Sequence, residues 1–192
     1  MRNPLVVGPR VYLRALEAAD AETNAAQSNA ETETFMYRGR APASPISFAR
    51  WVEDDGKHAL PSSIHLAVCL RDGDHYIGSV TLHQVDYLNR TAETGSGLAD
   101  GFRGQGLGTE AKMLLLEYAF ERLHLHAINS HVFEQNSRSA AALKKQGYRP
   151  AGRRKWDDVK GGVYCDGLLF DLLRDEWLAA REAWRATLPA EE

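Results

Sequence analysis

The sequence predicts a mixed α/β fold, with a mostly antiparallel central sheet of about seven strands flanked by helices. Three observations predict it. Three extended runs between residues 64 and 99 are joined by tight turns, which makes an antiparallel meander. Strand and helix patterns then alternate between residues 91 and 147. Two further extended runs meet at Gly161-Gly162, a hairpin turn. At 192 residues the chain is long enough for one compact domain and short of two. We expect a single domain over residues 1–192, with its core at about 10–174.

The elements follow in order. Arg10 to Leu16 alternates polar and apolar residues after the Gly8-Pro9 turn, as a first strand does. Glu17 to Asn29 reads as a short helix with Asp20 at its start. Glu31 to Ala43 has few core signals and reads as a surface loop with a helical turn. A second helix begins near Ser44-Pro45, because proline suits a first turn. Ile64 to Leu70, His75 to Asp86 and Thr91 to Ala99 form the meander, with turns at Arg71–Asp74 and Leu88–Arg90. Gly106 to Leu123 is the clearest helix, with Leu107, Ala111, Leu114, Leu115 and Tyr118 on one stripe. His126 to Phe133 is a strand. Asn136 to Gln146 is a helix closed by Gly147. Tyr148 to Lys160 and Val163 to Leu173 form the hairpin, and Arg174 to Leu188 is a last helix.

Bulk properties exclude several classes. The net charge is -3, with no long run of one sign, so nucleic acid is not expected as a partner. No apolar run approaches the roughly 20 residues that span a bilayer, so no membrane partner is expected. The apolar patch in Met1–Gly8 is too short for a secretory signal, and we expect a cytoplasmic protein. Cys69 and Cys165 read as plain buried thiols. No Cys/His spacing suggests zinc, and no metal is expected.

The chemistry-bearing stretch is Asp100-Gly101-Phe102-Arg103-Gly104-Gln105-Gly106-Leu107-Gly108-Thr109-Glu110, directly ahead of the clearest helix. Its glycines permit positive φ and close approach of the main chain to a ligand. The helix start then offers unpaired N–H groups and a positive dipole end, which suits a diphosphate. On the glycines alone, a ligand-free turn fits as well. The loop ends in Gly-Thr-Glu, which excludes a Walker loop, and its place after an antiparallel meander argues against a dinucleotide fingerprint.

Arg103-x-x-Gly106-x-Gly108 resembles the acetyl-CoA signature of the GNAT superfamily of N-acetyltransferases. The longer run from Gly101 to Ala111 is similar to the branch that contains the acetyltransferases of ribosomal-protein N-termini and many relatives of unknown substrate. Asn136-x-x-Ser139, followed by Lys145-Gln146-Gly147-Tyr148, resembles that branch's second cofactor element, at the family's spacing. The resemblance spans about nine-tenths of the chain.

It implies a GNAT-like fold and direct transfer of an acetyl group from acetyl-CoA to a primary amine. That amine could belong to a protein N-terminus or a small molecule. Backbone N–H groups across Arg103, Gly104, Gln105, Gly106, Leu107, Gly108 and Thr109 would bind the CoA pyrophosphate, with the Arg103 charge at the loop's edge. Leu98 and Ala99 would pair with pantetheine in the manner of an added strand. Asn136 would hydrogen-bond pantetheine, although it equally suits a helix N-cap. Ser139 would lie near the CoA sulfur and act as a catalytic residue, helping to return a proton to the thiolate. Lys144 and Lys145 could approach the 3′-phosphate, or line a solvated helix face. The tyrosine that many members use as an acid is absent, since Leu143 stands seven residues past Asn136. Tyr148 reads as core.

The chemistry needs a free amine, so a base must take a proton from an ammonium. Glu93 is the first candidate, on a strand face shared with Gly95 and Gly97, whose missing side chains leave room for a substrate. A surface carboxylate is the plainer alternative. His83, His131 and Glu134 are weaker candidates. The absent tyrosine motivates another class, a CoA-binding sensing or regulatory domain without catalysis. Trp156, Trp177 and Trp184 could support a homodimer, although two of them packing in the core is the simpler reading.

Overall fold

The computed structural model describes residues 1–32, 41–55 and 59–188. Its frame is one eight-stranded sheet in the order β1-β2-β3-β4-β5-β6-β8-β7. The strands are β1 (Val6–Val7), β2 (Val11–Ala15), β3 (Ile64–Leu70), β4 (Tyr76–Asp86), β5 (Thr91–Leu98), β6 (Ala127–Phe133), β7 (Arg149–Lys160) and β8 (Val163–Leu173). Every neighbouring pair is antiparallel except β5 and β6, which run parallel. The sheet has one strand beyond the expected seven. The extra strand is the two-residue β1, paired as Val6 with Leu13, and it is too short to show a periodicity.

The helices divide between the two faces. A 3-10 turn at Ala18–Asp20 leads into α1 (Ala21–Asn29), and α2 (Pro45–Asp55) packs against both. They cover the face that presents Tyr12, Ala67, Cys69 and Tyr76. α3 (Leu107–Glu117), α4 (Ser137–Lys145) and α5 (Arg174–Arg185) cover the other. There, Val11, Leu13, Val68, Val80, Leu82, Ala92 and Ile128 meet Leu107, Ala111, Leu114 and Leu115 of α3 in the main core. Alternation along each strand sorts these two sets, because successive side chains point to opposite faces. The long helix read over Gly106–Leu123 is α3 with a π-turn at Tyr118–Arg122 appended. The Glu31–Ala43 loop falls mostly on residues 33–40, outside the described residues.

One buried ion pair joins the α1 side to the sheet. Arg14 and Asp20, 1% and 3% exposed, meet at 2.6 Å and hold the first turn of the α1 side on β2. Trp177 is fully buried and stacks on Phe120 at 5.1 Å, and Trp184 packs against the same core. Trp156 is 72% exposed on β7. Both cysteines are buried and free. Among the described residues no helix is long and apolar enough to cross a membrane.

Gly147 turns the chain from α4 into β7 at φ 95°, and a Cβ there would lie 2.8 Å from Ala180 Cβ of α5. Gly147→Ala is therefore expected to cost about 2 kcal/mol through backbone strain and overpacking. Thermal denaturation should show a Tm lower by about 4–8 °C.

Candidate active site

The parallel β5–β6 ladder is short. It joins Thr91 to Ala127, Ala92 to Ile128 and Glu93 to Asn129, then stops. Side chains finish what the backbones leave. Ser130 Oγ donates to Thr94 O at 3.2 Å, and Thr94 Oγ1 donates to Asn129 O at 3.5 Å. Tyr148, buried in the core, places its hydroxyl 2.8 Å from Thr94 Oγ1 and braces the same point. Beyond it the strands splay.

The free edge of β5 has a definite polarity. Ala99 N–H is turned the other way, toward β4, and donates to Ile77 O at 2.9 Å. By strand alternation the main-chain groups of Thr94, Ser96 and Leu98 then face the gap. Leu98 O does so visibly, accepting from Arg103 Nε at 2.8 Å. Of the two residues expected to pair with a ligand here, Leu98 is on the open edge and Ala99 is not. Ser96, not singled out in the sequence, joins Leu98.

A cleft of about 360 Å³ lies beside this edge. Leu98, Arg103, Gly104, Gly106, Gly108, Thr109, Asn136, Ser139 and Lys145 line it, together with Ser96, Gly97, Lys112 and Arg138. Gly104 and Gly106 adopt φ of 76° and 79°, the left-handed region that glycine enters without a Cβ penalty. No side chain caps α3, so its first N–H groups stay open toward the cleft. Besides Arg103 and Lys112, the cleft's basic groups are Arg138 and Lys145, and Lys144 does not line it. Gln105 turns its side chain back to Gly101 O at 2.8 Å, and Leu107 goes into the core.

Two arginines hold this loop from outside. Arg10 Nε lies 2.8 Å from the fully buried Glu110, whose carboxylate also accepts from the N–H groups of Arg10 at 2.7 Å and Val11 at 3.0 Å. Arg10 Nη1 donates to Gln105 O at 2.9 Å. Arg103 ties the loop to the α1 side through an ion pair with Glu31. Its guanidinium is thus committed within the protein. At α4, Asn136 Oδ1 accepts from Ser139 N–H at 3.1 Å, so Asn136 is the N-cap of that helix. Its amide nitrogen is left for other contacts.

A second cleft, of about 400 Å³, opens toward the α1–α2 face. Glu93, His83, His131, Thr81, Gly95 and Phe133 line it. The room expected above Gly95 is taken by the His83 ring, whose Nε2 would lie 3.0 Å from a Cβ there. Burial lowers the His83 pKa below the ordinary histidine value, reinforced by the charge of Lys112 and opposed by Glu93. His131 Nε2 lies 2.7 Å from Asp157, over Gly167, where no Cβ would fit. Glu134 does not line the cleft and pairs with Arg153 at 3.1 Å. Ser96, Gly97, Lys112, Asn136 and Ser139 line both clefts and mark their junction. Among the described residues, no group of His, Cys, Asp and Glu could hold a metal ion.

The model of the family described as "Acetyltransferase (GNAT) domain" matches residues 10–149. YdaF of Bacillus subtilis, whose name marks it as a candidate ribosomal N-acetyltransferase, is 26% identical over 174 residues, 89% of this chain and 95% of that protein. Spermidine N(1)-acetyltransferase of Escherichia coli K12 is 25% identical over 179 residues, covering 93% and 94% of the two chains. Among solved structures, a chimera of the Vibrio cholerae spermidine N-acetyltransferase SpeG and hSSAT superposes with a TM-score of 0.78. It is 22% identical and covers 88% of this chain and 99% of that one, which establishes the shared fold.

Removing the Glu110 carboxylate would leave the N–H groups of Arg10 and Val11 without acceptors beneath the loop. Glu110→Ala is expected to cost about 3 kcal/mol. Calorimetry should show a Tm drop of about 6–12 °C.

Proposed function

Because the chain belongs to the GNAT acetyltransferase family, we propose that it passes an acetyl group from acetyl-CoA to a primary amine through the gap between β5 and β6. It is an acetyltransferase by family and by its relatives. The observation that carries the detailed reading is the end of the ladder at Glu93–Asn129 beside a glycine-lined, uncapped helix start.

Pantetheine would lie along β5 as an added strand, exchanging hydrogen bonds with Ser96 and Leu98. The pyrophosphate would rest on the N–H groups from Arg103 to Thr109, at the positive end of α3. Arg138 and Lys145, which line the cleft, would meet the 3′-phosphate. Asn136, its oxygen spent on the helix cap, would offer its amide nitrogen to the pantetheine chain. The thioester would then reach the junction, beside Ser139. A gap-facing N–H of β5 would polarise its carbonyl.

The acceptor would enter from the α1–α2 face. Glu93 would take a proton from its ammonium, directly or through water, with His83 and the His131–Asp157 pair nearby. The freed nitrogen attacks the thioester carbon, and the C–S bond breaks as the amide forms. Among the described residues Glu93 is the single carboxylate lining the acceptor cleft. We also propose that residues 1–192 act as one catalytic domain, with its core at about 10–174. A second copy would pack on the β7–β8 hairpin, where Trp156 and Tyr164 are exposed, with their rings tilted and 5.4 Å apart.

Two measurements test this. CoA should raise the Tm, as a ligand at about a hundred times its Kd stabilises by ~2.7 kcal/mol, while ATP should not. Glu93→Gln should lower kcat by about 10²-fold or more with the KM for acetyl-CoA little changed. ATP protection equal to that of CoA, or an unchanged kcat, would refute the assignment.

A further inference from the structure

Lys112 is out of place for its helix. α3 lies on the α3–α5 face of the sheet, where its neighbours Ala111, Met113, Leu114 and Leu115 are buried. Lys112 is 3% exposed, and among the described residues it has no hydrogen bond or ion pair. It nevertheless lines the cleft on the opposite face, with His83 and Glu93, as well as the one beside the loop. A side chain that starts on one face and is felt on the other must pass through the opening between the strands. It passes where β5 and β6 have parted. The junction it reaches is shared with Ser96, Gly97, Asn136 and Ser139.

Resting on the acetyl-CoA reading above, we propose that Lys112 is a catalytic residue: its ammonium gives the proton that the departing CoA thiolate needs. The balance is simple. The acceptor nitrogen forms the N–C bond, and the C–S bond breaks with its electron pair going to sulfur. Lys112 Nζ passes one proton to that sulfur and is left as a neutral amine. The acceptor nitrogen loses one proton in the same turnover, and the acceptor cleft, open to water, returns one to Lys112. The other hydroxyls at hand suit this less. Tyr148 is bonded to Thr94, and burial pushes its pKa above the usual tyrosine value. Ser139 has only an alcohol to offer.

Among the described residues, the charged and titratable groups that share the two clefts with Lys112 are Glu93 of β5, His83 of β4 and His131 of β6 on the acceptor side, and Arg103 of the loop with Arg138 and Lys145 of α4 on the other. Burial pulls the Lys112 pKa down from that of an ordinary lysine to about 7, against the opposing pull of Glu93. A general acid works best with a pKa near the operating pH. A thiolate forming beside it would hold the proton in place until transfer.

The test reads the bound thiol itself and needs no acceptor. CoA is titrated with pH in the presence of protein, following thiolate absorbance against protein alone, for the wild type and for Lys112→Met and Lys112→Gln. Both variants remove a buried cation and keep the shape of the side chain, so Tm should be equal or higher. Next to an ammonium, the thiol midpoint should lie about one pH unit or more below its value in the variants. That is roughly tenfold more thiolate at a given neutral pH. With a competent amine, Lys112→Met should lower kcat by about 10²–10⁴-fold and remove the alkaline fall in kcat, since the acid form is required. Equal midpoints would overturn the proposal while leaving the acetyl-CoA reading standing. So would loss of CoA binding in both variants, or an acetyl group found on Lys112 by mass spectrometry, which would make the amine an acceptor. No protection of the wild type by CoA would instead remove the reading on which the proposal rests.

Discussion

A parallel ladder that stops after three residue pairs organises this molecule. Strand edges expose N–H and C=O groups, and an interior edge left open must be satisfied by something. Here side chains of Thr94 and Ser130 close the ladder's end, and the next backbone groups of β5 are left facing a gap. Extended backbone of another molecule meets that need, and pantetheine, with its two amides, is extended and amide-bearing. The two clefts meet at this gap and not elsewhere among the described residues.

The rest of the structure keeps the gap in register with the loop. Glu110 joins α3 to β2 through three hydrogen-bond donors, and Arg10 carries that tie on to the loop backbone at Gln105. Arg103 ties the loop's other end to Glu31 and to Leu98, so the residue most visible in the motif acts from the side as a clamp. Asn136 performs two tasks with two atoms, capping α4 with its oxygen and leaving its nitrogen free of the cap. Charge enters the site sparingly. Glu93 and Lys112 oppose one another across the junction, and His83 feels both. On the proposed reading, protons are handled on each side of the bond being made.

Much of this was legible in the sequence, for local reasons. β3 runs from Ile64 to Leu70, as its apolar run, interrupted at His65, suggests, and the β7–β8 hairpin turns at Gly161-Gly162. Gly147 ends α4 because the chain needs a left-handed residue there. What escaped was non-local. No pattern within β5 says that its pairing with β6 ends at Glu93, because that depends on residues 36 positions away. The space above Gly95 read as room for a substrate, and the His83 ring of the neighbouring strand fills it. Ala99 looked equivalent to Leu98, but alternation turns its N–H to Ile77. Lys112 went unnoticed because a lysine in an amphipathic helix normally faces water. The signal was present in its neighbours, a charged residue inside the apolar run from Ala111 to Leu116.

On the proposed reading, the open edge of β5 receives the acyl donor as a strand. Amide hydrogen exchange with and without CoA measures this residue by residue. Ser96 and Leu98 amides should become protected when CoA is added, while the Ala99 amide, already bonded to Ile77, should not change. Unchanged exchange at Ser96 and Leu98 in a protein that demonstrably binds CoA would contradict it.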